Sequence, residues 1–397
     1  MRTGSIPRGR IAVLGLITIA VYGSWFYSFG VLLDPIIEDT GWSEPSVAAV
    51  FGASTLIAAF GSLAGGWLLD LIGSRAVFVL AALLGGGAFL VAADAGSATT
   101  FAVSGAIGGA TFASLGFYHV TKTVAVRIST ESTERAIAVL TIWGAFASAI
   151  FIPLTAWLVT LFDWRMALRV ITLCAALALL VGAMTVDTRP RRDGHRPRFL
   201  VDLGEALRDG SVKSFLVSQG LAGLAVGTVL VYQVPAMTSA GLVIGAASFW
   251  AGFRGFAQLG GRLPLMWLVR RWGVGGSLRI SYFAIAIGAF ALAFAGNQVL
   301  AAIYAIAAGF GIGAVSPLVG MYSSASFGES SLGAAMGFVS LVFLITNAIG
   351  PVAAAWVADL TGSRSIPVAA SAAILVAAAV VVRPTRRDLG SAVSESG

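Results

Sequence analysis

The chain has 397 residues, of which 58% are hydrophobic and only 11% are charged, whereas soluble proteins carry about 25% charged residues. This composition predicts a polytopic membrane protein and excludes soluble folds. A single cysteine excludes an intrachain disulfide, and with only two histidines we expect neither a bound metal nor another cofactor. Most of the net charge of +7 lies between apolar segments, where it orients a protein in the bilayer, so nucleic acid is not an expected partner.

Twelve apolar stretches are each long enough to cross roughly 30 Å of hydrocarbon. The first follows a short basic amino terminus and is too long for the apolar core of a signal peptide, so we expect it to be a retained transmembrane helix. We therefore predict an all-α membrane protein with twelve transmembrane helices, at residues 11–33, 47–69, 76–93, 100–126, 136–161, 166–186, 212–239, 246–269, 278–295, 299–326, 332–357 and 365–382.

A long polar interruption separates the first six spans from the last six. We predict an amino-terminal six-helix bundle, a cytoplasmic linker, a carboxy-terminal six-helix bundle and a cytoplasmic tail, at residues 1–187, 188–211, 212–383 and 384–397. Loops on the side of the amino terminus, together with both tails, hold 19 of the 25 lysines and arginines, and the opposite loops hold three. Both termini are therefore predicted to be cytoplasmic, in a cell membrane that we expect to be the bacterial inner membrane.

The two halves resemble each other at an offset of 200 residues. A duplicated six-helix unit in parallel orientation is typical of transporters, which bind their ligand near the bilayer midplane between the halves. The paired positions include Trp67 with Trp267, Gly73 with Gly273, Gly41 with Gly241, and Pro35 with Pro235.

Residues 65–75 read GGWLLDLIGSR. Gly66, Asp70, Gly73 and Arg75 match the G-x-x-x-D-x-x-G-x-R signature between helices 2 and 3 of the major facilitator superfamily, and the chain resembles this family over essentially its whole length. The resemblance implies the major facilitator fold, with two pseudo-symmetric six-helix bundles that work by alternating access. Asp70 can pair with Arg75 or cap a neighbouring helix, and either contact would latch the inner gate.

Three further stretches resemble the monocarboxylate-transporter and oxalate/formate-antiporter branch of that family: Asp163-Trp164-Arg165, Gly261-Arg262 and Gly350-Pro351. The resemblance implies that Arg262 pairs with a substrate carboxylate. Some members place an acidic residue for proton coupling four positions earlier, where this chain has Gln258.

Helix 8 carries a polar stripe of Arg254, Gln258 and Arg262 at i, i+4 and i+8. A guanidinium near the bilayer centre costs roughly 2.5 kcal/mol or more, so it needs a wet cavity or an anionic partner. With Lys122 also inside a span and no carboxylate near any span centre, the interior should attract anions. Alternatively, Arg262 snorkels to the interface, and Arg254 pairs with Asp34 at the outer end of helix 1.

Further candidates for substrate binding are Tyr118, Tyr27, Trp25 and Asn347. The resemblance places Tyr118 near an aromatic residue of helix 4 that contacts substrate. Aromatic residues in a spanning helix also serve as packing or interface anchors. Asn347 precedes Gly350-Pro351, so it either lines the cavity or satisfies backbone groups that the proline frees.

His119 and Asp34 are the candidates for proton coupling. His119 is the intramembrane side chain whose ordinary pKa lies near neutrality, so it could carry a proton. The alternative is an imidazole that is bonded to a helix carbonyl.

These observations predict a secondary active transporter of a small organic anion, specifically a monocarboxylate, that works by alternating access with proton symport or anion exchange. The partners expected are the substrate, the lipid bilayer and protons, and we expect a monomer. One alternative is an exporter of a larger amphipathic compound, in which the arginines pair internally. A non-transporting membrane sensor is another, whereas no nucleophile–base arrangement supports an enzyme.

Overall fold

The computed structural model describes residues 7–129, 133–188, 210–326 and 332–383, and every regular element in these ranges is a helix. The predicted tail and nearly all of the predicted linker lie outside the described residues. Ten of the helices in these ranges are long and apolar enough to cross a membrane, and Ser365–Val381 is a shorter apolar helix. The prediction of an all-α membrane protein is confirmed.

The first six spans are built from long helices with a few breaks. Helix α1 contains a wider π turn at Tyr22–Tyr27, and Phe117 breaks α4. Gly73 divides the continuous helix Glu44–Leu80 into α2 and the start of α3. The bounds are Arg8–Thr40 for α1, 44–72 for α2, 74–93 for α3, Ala98–Gly116 with Tyr118–Ile128 for α4, Thr133–Leu161 for α5 and Trp164–Thr185 for α6.

The last six spans follow the same plan. Gly273 divides the helix Leu265–Ala293, so its first part continues α8 and its second part is α9. The low hydropathy of Ile244–Arg262 reflects the polar stripe predicted for α8. The bounds are Gly210–Ser239 for α7, Ile244–Arg262 with 265–272 for α8, 274–293 for α9, Gln298–Ser326 for α10, Leu332–Thr361 for α11 and Ser365–Val381 for α12.

The chain folds into two compact units. The first comprises the described residues of Met1–Asp193 together with Val243–Gly255, and the second those of Gly194–Leu242 together with Phe256–Gly397. The opening turns of α8 therefore pack with the first unit, although the sequence assigned all of α8 to the second bundle.

Glycines let the first part of α8 approach α5. A Cβ at Gly252 would lie 3.1 Å from the Pro153 side chain, and one at Gly255 would lie 2.8 Å from the carbonyl oxygen of Ala145. Side chains at these positions would push the helices apart, so small residues set the helix spacing.

Both units make equivalent turns at equivalent positions. Gly41 and Gly241 end helices with φ angles of 68° and 105°, and Gly73 and Gly273 make the kinks with φ angles of 79° and 68°. These backbone angles favour glycine because it has no Cβ. The repeat seen in the sequence therefore corresponds to the same backbone geometry in each unit.

The turn before the fourth helix of each unit repeats as well. Ser97 caps α4 by accepting a hydrogen bond from the backbone N–H of Thr100 at 3.1 Å. Asn297, 200 residues later, caps α10 by accepting from the N–H groups of Val299 and Leu300, each at 3.0 Å. Both are residue types preferred at helix N-caps.

The Asp163-Trp164-Arg165 stretch joins two helix ends in the first unit. Asp163 caps α6 by accepting from the N–H of Met166 at 2.6 Å. Trp164 donates its indole N–H to Asp39 at 2.9 Å, and Arg165 forms an ion pair with the same carboxylate. The motif thus ties the start of α6 to the end of α1.

In the second unit, α7 and α11 touch backbone to backbone. A Cβ at Gly223 would lie 2.5 Å from the carbonyl oxygen of Phe343, and one at Gly350 would lie 2.1 Å from that of Leu224. Gly220 is one turn away on α7, but its nearest neighbour would be at an ordinary 3.7 Å.

This difference predicts contrasting effects of the same substitution. Gly223→Ala should lower the free energy of unfolding by about 1–3 kcal/mol, because the added methyl meets backbone that cannot move aside. Gly220→Ala is the matched control and should melt with the wild type. Thermal unfolding in detergent measures both, and equal melting temperatures for the two variants would contradict the packing described.

Candidate functional site

A π turn in α1 sets the direction of two tyrosines. In an α-helix, residues five apart point about 140° away from each other. Here the backbone N–H of Ser28 donates to the carbonyl of Gly23 at 3.2 Å, a five-residue span, and the Ser28 hydroxyl donates to the same carbonyl at 2.7 Å. The wider turn brings the rings of Tyr22 and Tyr27 to a centroid separation of 6.3 Å.

Helix α4 is interrupted beside this turn. It ends at Gly116, Phe117 is extended, and a second segment begins at Tyr118. The last carbonyls of a helix have no partner within it. The imidazole of His119 supplies one by donating from Nε2 to the carbonyl of Ser114 at 2.7 Å.

Five aromatic side chains of α1 and α4 form what we call the aromatic cluster: Tyr22, Phe26, Tyr27, Phe117 and Tyr118. The ring of Tyr22 stacks on Phe117 with centroids 3.7 Å apart and lies 5.2 Å from Tyr118. Phe26 meets Tyr27 edge to face at 5.3 Å. All five side chains are half-buried, so the cluster keeps part of its surface open.

Two cations lie against this cluster. The ammonium nitrogen of Lys122 is 4.3 Å from the ring centroid of Tyr118, and the guanidinium carbon of Arg254 is 5.7 Å from that of Tyr27. Arg254 is fully buried, with 0% exposure. A ring face attracts a cation through its negative quadrupole, so each of these two cations is held in part by a tyrosine ring.

The position of Tyr118 depends on a glycine of α5. Its hydroxyl donates to the carbonyl of Thr141 at 3.4 Å. A Cβ at Gly144 would lie only 1.5 Å from the hydroxyl oxygen. The missing side chain at Gly144 therefore makes the notch in which the end of Tyr118 rests.

The remaining polar residues of α8 belong to the second unit. Arg262 is half-buried and donates from Nε to the carbonyl of Gly313 on α10 at 3.4 Å. Gln258 is buried, and a Cβ at Gly313 would lie 2.0 Å from its carbonyl oxygen. Arg262 is thus anchored on a close contact between α8 and α10.

Two predicted binding residues take structural positions. Trp25 is only 4% exposed and donates its indole N–H to Ser54 at 3.0 Å, which puts it in the core of the first unit and not on an open surface. Asn347 is 1% exposed and donates to the carbonyl of Gly223 at 3.3 Å. It therefore lies at the contact between α7 and α11.

The signature residues show one unexpected pairing. Asp70 forms an ion pair with Arg127 at the end of α4, whereas Arg75 is exposed. Gly73 makes the kink after α2, and Gly66 has open space beside it. The carboxylate of Asp70 therefore reaches a partner on another helix, 57 residues away along the chain.

Asp34 is half-buried on α1, one turn before Glu38. Within the described ranges, no three His, Cys, Asp or Glu side chains group in a way that could hold a metal ion.

The sequence predicted Tyr27 and Tyr118 as binding residues, but not Tyr22, Phe117 or the notch at Gly144. Tyr22 and Tyr27 lie on different sides of an ideal α-helix, and only the π turn unites them. The dipeptide Gly116-Phe117 is a weak signal for the break, since the sequence there has no proline.

Comparison with known proteins gives a consistent result. The family model described as Major Facilitator Superfamily matches residues 14–307 and 215–396. Among solved structures, the chain is similar to the nucleoside transporter NupG, with 15% identity over 94% of this chain and 98% of that one and a TM-score of 0.78.

Two further structures show the same likeness. A D-xylose–proton symporter has 16% identity over 95% of this chain and 97% of that one, with a TM-score of 0.74. A bacterial homolog of the human lysosomal transporter Spinster has 16% identity over 96% and 95%, with a TM-score of 0.69. At these identities the likeness concerns the fold. No curated protein sequence matches the chain.

The role of His119 as a fastener at the helix break can be tested by stability. His119→Leu removes the donor to the Ser114 carbonyl and should lower the free energy of unfolding by about 1–3 kcal/mol. His119→Gln keeps a donor and should lose less. Thermal unfolding in detergent provides the measurement, and a leucine variant as stable as the wild type would rule out this role.

Proposed function

The chain belongs to the major facilitator superfamily, and we propose that it carries a small organic anion, specifically a monocarboxylate, across the membrane by alternating access. The family and the transporter folds it resembles make it a multi-pass membrane transporter and not an enzyme. The nature of the substrate is our proposal. The observation that carries it is the fully buried guanidinium of Arg254 beside the aromatic cluster.

The positive charge of Arg254 is costly inside a membrane. A guanidinium stays protonated at any accessible pH, and placing it in a membrane interior costs roughly 2.5–3.5 kcal/mol or more. Lys122 adds a second positive charge at the same cluster. Positive charge attracts anions, and the planar fork of Arg254 matches a carboxylate with two parallel hydrogen bonds.

Different contacts hold the guanidinium groups of Arg254 and Arg262. Family resemblance marks Arg262 for the carboxylate, but its Nε donates to the backbone of α10. Arg254 lies eight residues earlier, about 12 Å along the helix axis, and is held by a ring face. We therefore assign Arg254 the principal anion contact and keep Arg262 and Gln258 as secondary candidates on the second unit.

Coupling is proposed to be proton symport or anion exchange. Gln258 cannot carry a proton at the position where some relatives use an acid, and the imidazole of His119 is bonded to a carbonyl. Both facts favour exchange, in which unlabelled anion inside vesicles accelerates uptake and a pH gradient does not. We also propose a monomer with both termini in the cytoplasm, on the strength of the asymmetric arginine distribution.

The anion assignment is tested by transport. Purified protein in proteoliposomes should take up at least one of radiolabelled acetate, lactate, oxalate and benzoate. Arg254→Ala should reduce that uptake about tenfold or more, because losing a hydrogen-bonded charge costs roughly 1.5–3 kcal/mol. Arg254→Lys keeps the charge but loses the fork, so an intermediate rate is expected.

Arg270→Ala is the matched control, since Arg270 lies on the same helix but is exposed. Its uptake should equal that of the wild type. If Arg254→Ala transports every accepted carboxylate at the wild-type rate, Arg254 does not bind the anion. If the wild-type protein transports none of the four acids, the carboxylate proposal itself fails.

A further inference from the structure

We propose that the transported carboxylate is aromatic, with a planar ring that stacks on the aromatic cluster while the carboxylate reaches a cation beside it. This inference rests on the proposed function and narrows its substrate class. Two cations and three tyrosine rings contact one another in series across the cluster. Lys122 lies over Tyr118, Tyr118 contacts Tyr22, Tyr22 contacts Tyr27, and Arg254 lies over Tyr27.

Tyr22 occupies the middle of this series. Its ring centroid is 5.2 Å from Tyr118 and 6.3 Å from Tyr27. Lys122 lies against the first of these rings and Arg254 against the second. A flat ring of a ligand placed against Tyr22 would therefore have positive charge within reach on either side. Aromatic rings prefer centroid separations of roughly 4.5–7 Å, and the separations of Tyr22 from Tyr118 and from Tyr27 both lie in this range.

The cluster differs from the aromatic core of the first unit. Trp25, Phe29 and Phe51 are buried, and they fill space between helices. The five cluster members are half-buried, so part of their ring surface stays open although Tyr22 stacks on Phe117. A surface that remains open beside two cations suits a ligand that has both a ring and a negative charge.

The cluster also differs from a surface facing lipid. Exposed positions in the middle of α1 and α4 carry aliphatic side chains, at Leu16, Val103 and Ile107, which suit hydrocarbon. Tyrosine hydroxyls, an ammonium and a guanidinium do not, because charged groups in spanning helices face a bundle interior or a wet cavity. The same two helices therefore present an aliphatic side to lipid and the cluster to a ligand.

Benzoate and cyclohexanecarboxylate are a matched pair of ligands. Both have one carboxylate on a six-membered hydrocarbon ring, and only benzoate is planar and aromatic. Displacement of radiolabelled benzoate from the purified full-length protein gives both affinities. We expect benzoate to bind roughly two- to tenfold more tightly, the range that aromatic pairing contributes. Equal affinity would overturn the inference.

Variants of Tyr22 locate the effect. Tyr22→Leu should abolish the preference for benzoate over cyclohexanecarboxylate, whereas Tyr22→Phe keeps the ring and should retain it. Trp157→Leu removes another aromatic ring of the first unit, one that is exposed, and should bind both ligands as the wild type does. A preference that survives in Tyr22→Leu would overturn the assignment to the cluster.

Gly144→Ala provides an independent route, because it displaces the hydroxyl of Tyr118 without removing any ring. It should weaken benzoate binding more than cyclohexanecarboxylate binding, and equal weakening would count against the inference. Uptake of radiolabelled acetate separates the two levels of the proposal. Uptake that depends on Arg254, without preferred binding of benzoate, would leave the anion transporter standing and remove the aromatic substrate.

Discussion

The free energy of keeping one guanidinium inside a membrane governs how the first unit is built. Arg254 cannot discharge itself, so the helix that carries it must be held firmly where the charge is tolerated. Gly252 and Gly255 flank it in sequence. Because they have no side chains, α8 lies in contact with the backbone and the proline of α5. The absence of two side chains fixes the helix, and the fixed helix keeps the cation at the ring of Tyr27.

Glycines also determine where aromatic rings of the first unit lie. A Cβ at Gly23 would lie 2.2 Å from the ring of Phe151, and one at Gly144 would collide with the hydroxyl of Tyr118. Phe151 and Tyr118 thus each fit where the neighbouring helix has no side chain. Large rigid side chains that pack against glycines have few alternative arrangements. A binding site gains affinity from such preorganisation.

Much of this molecule could be predicted from sequence because the relevant properties are local. Hydropathy located the spans, and the cost of charge in a membrane singled out Arg254. The offset of 200 residues paired Gly41 with Gly241 and Gly73 with Gly273, whose backbone angles agree. What could not be predicted depends on contacts between distant residues. The π turn at Tyr22 is supported by a hydrogen bond between Ser28 and Thr155, and the partner of Asp70 comes from another helix.

The repeated turns have an evolutionary consequence. At the offset that superimposes Gly41 on Gly241, the cluster positions Tyr22, Tyr27, Phe117 and Tyr118 correspond to Ala222, Gly227, Pro317 and Leu318. Gly227 is even used for close packing against Asn347. Both halves therefore hold the glycines that bend the backbone, while only the first half holds the aromatic residues that we propose recognise a ligand. Such a division of labour lets selection change substrate preference in one half while the other half preserves the scaffold.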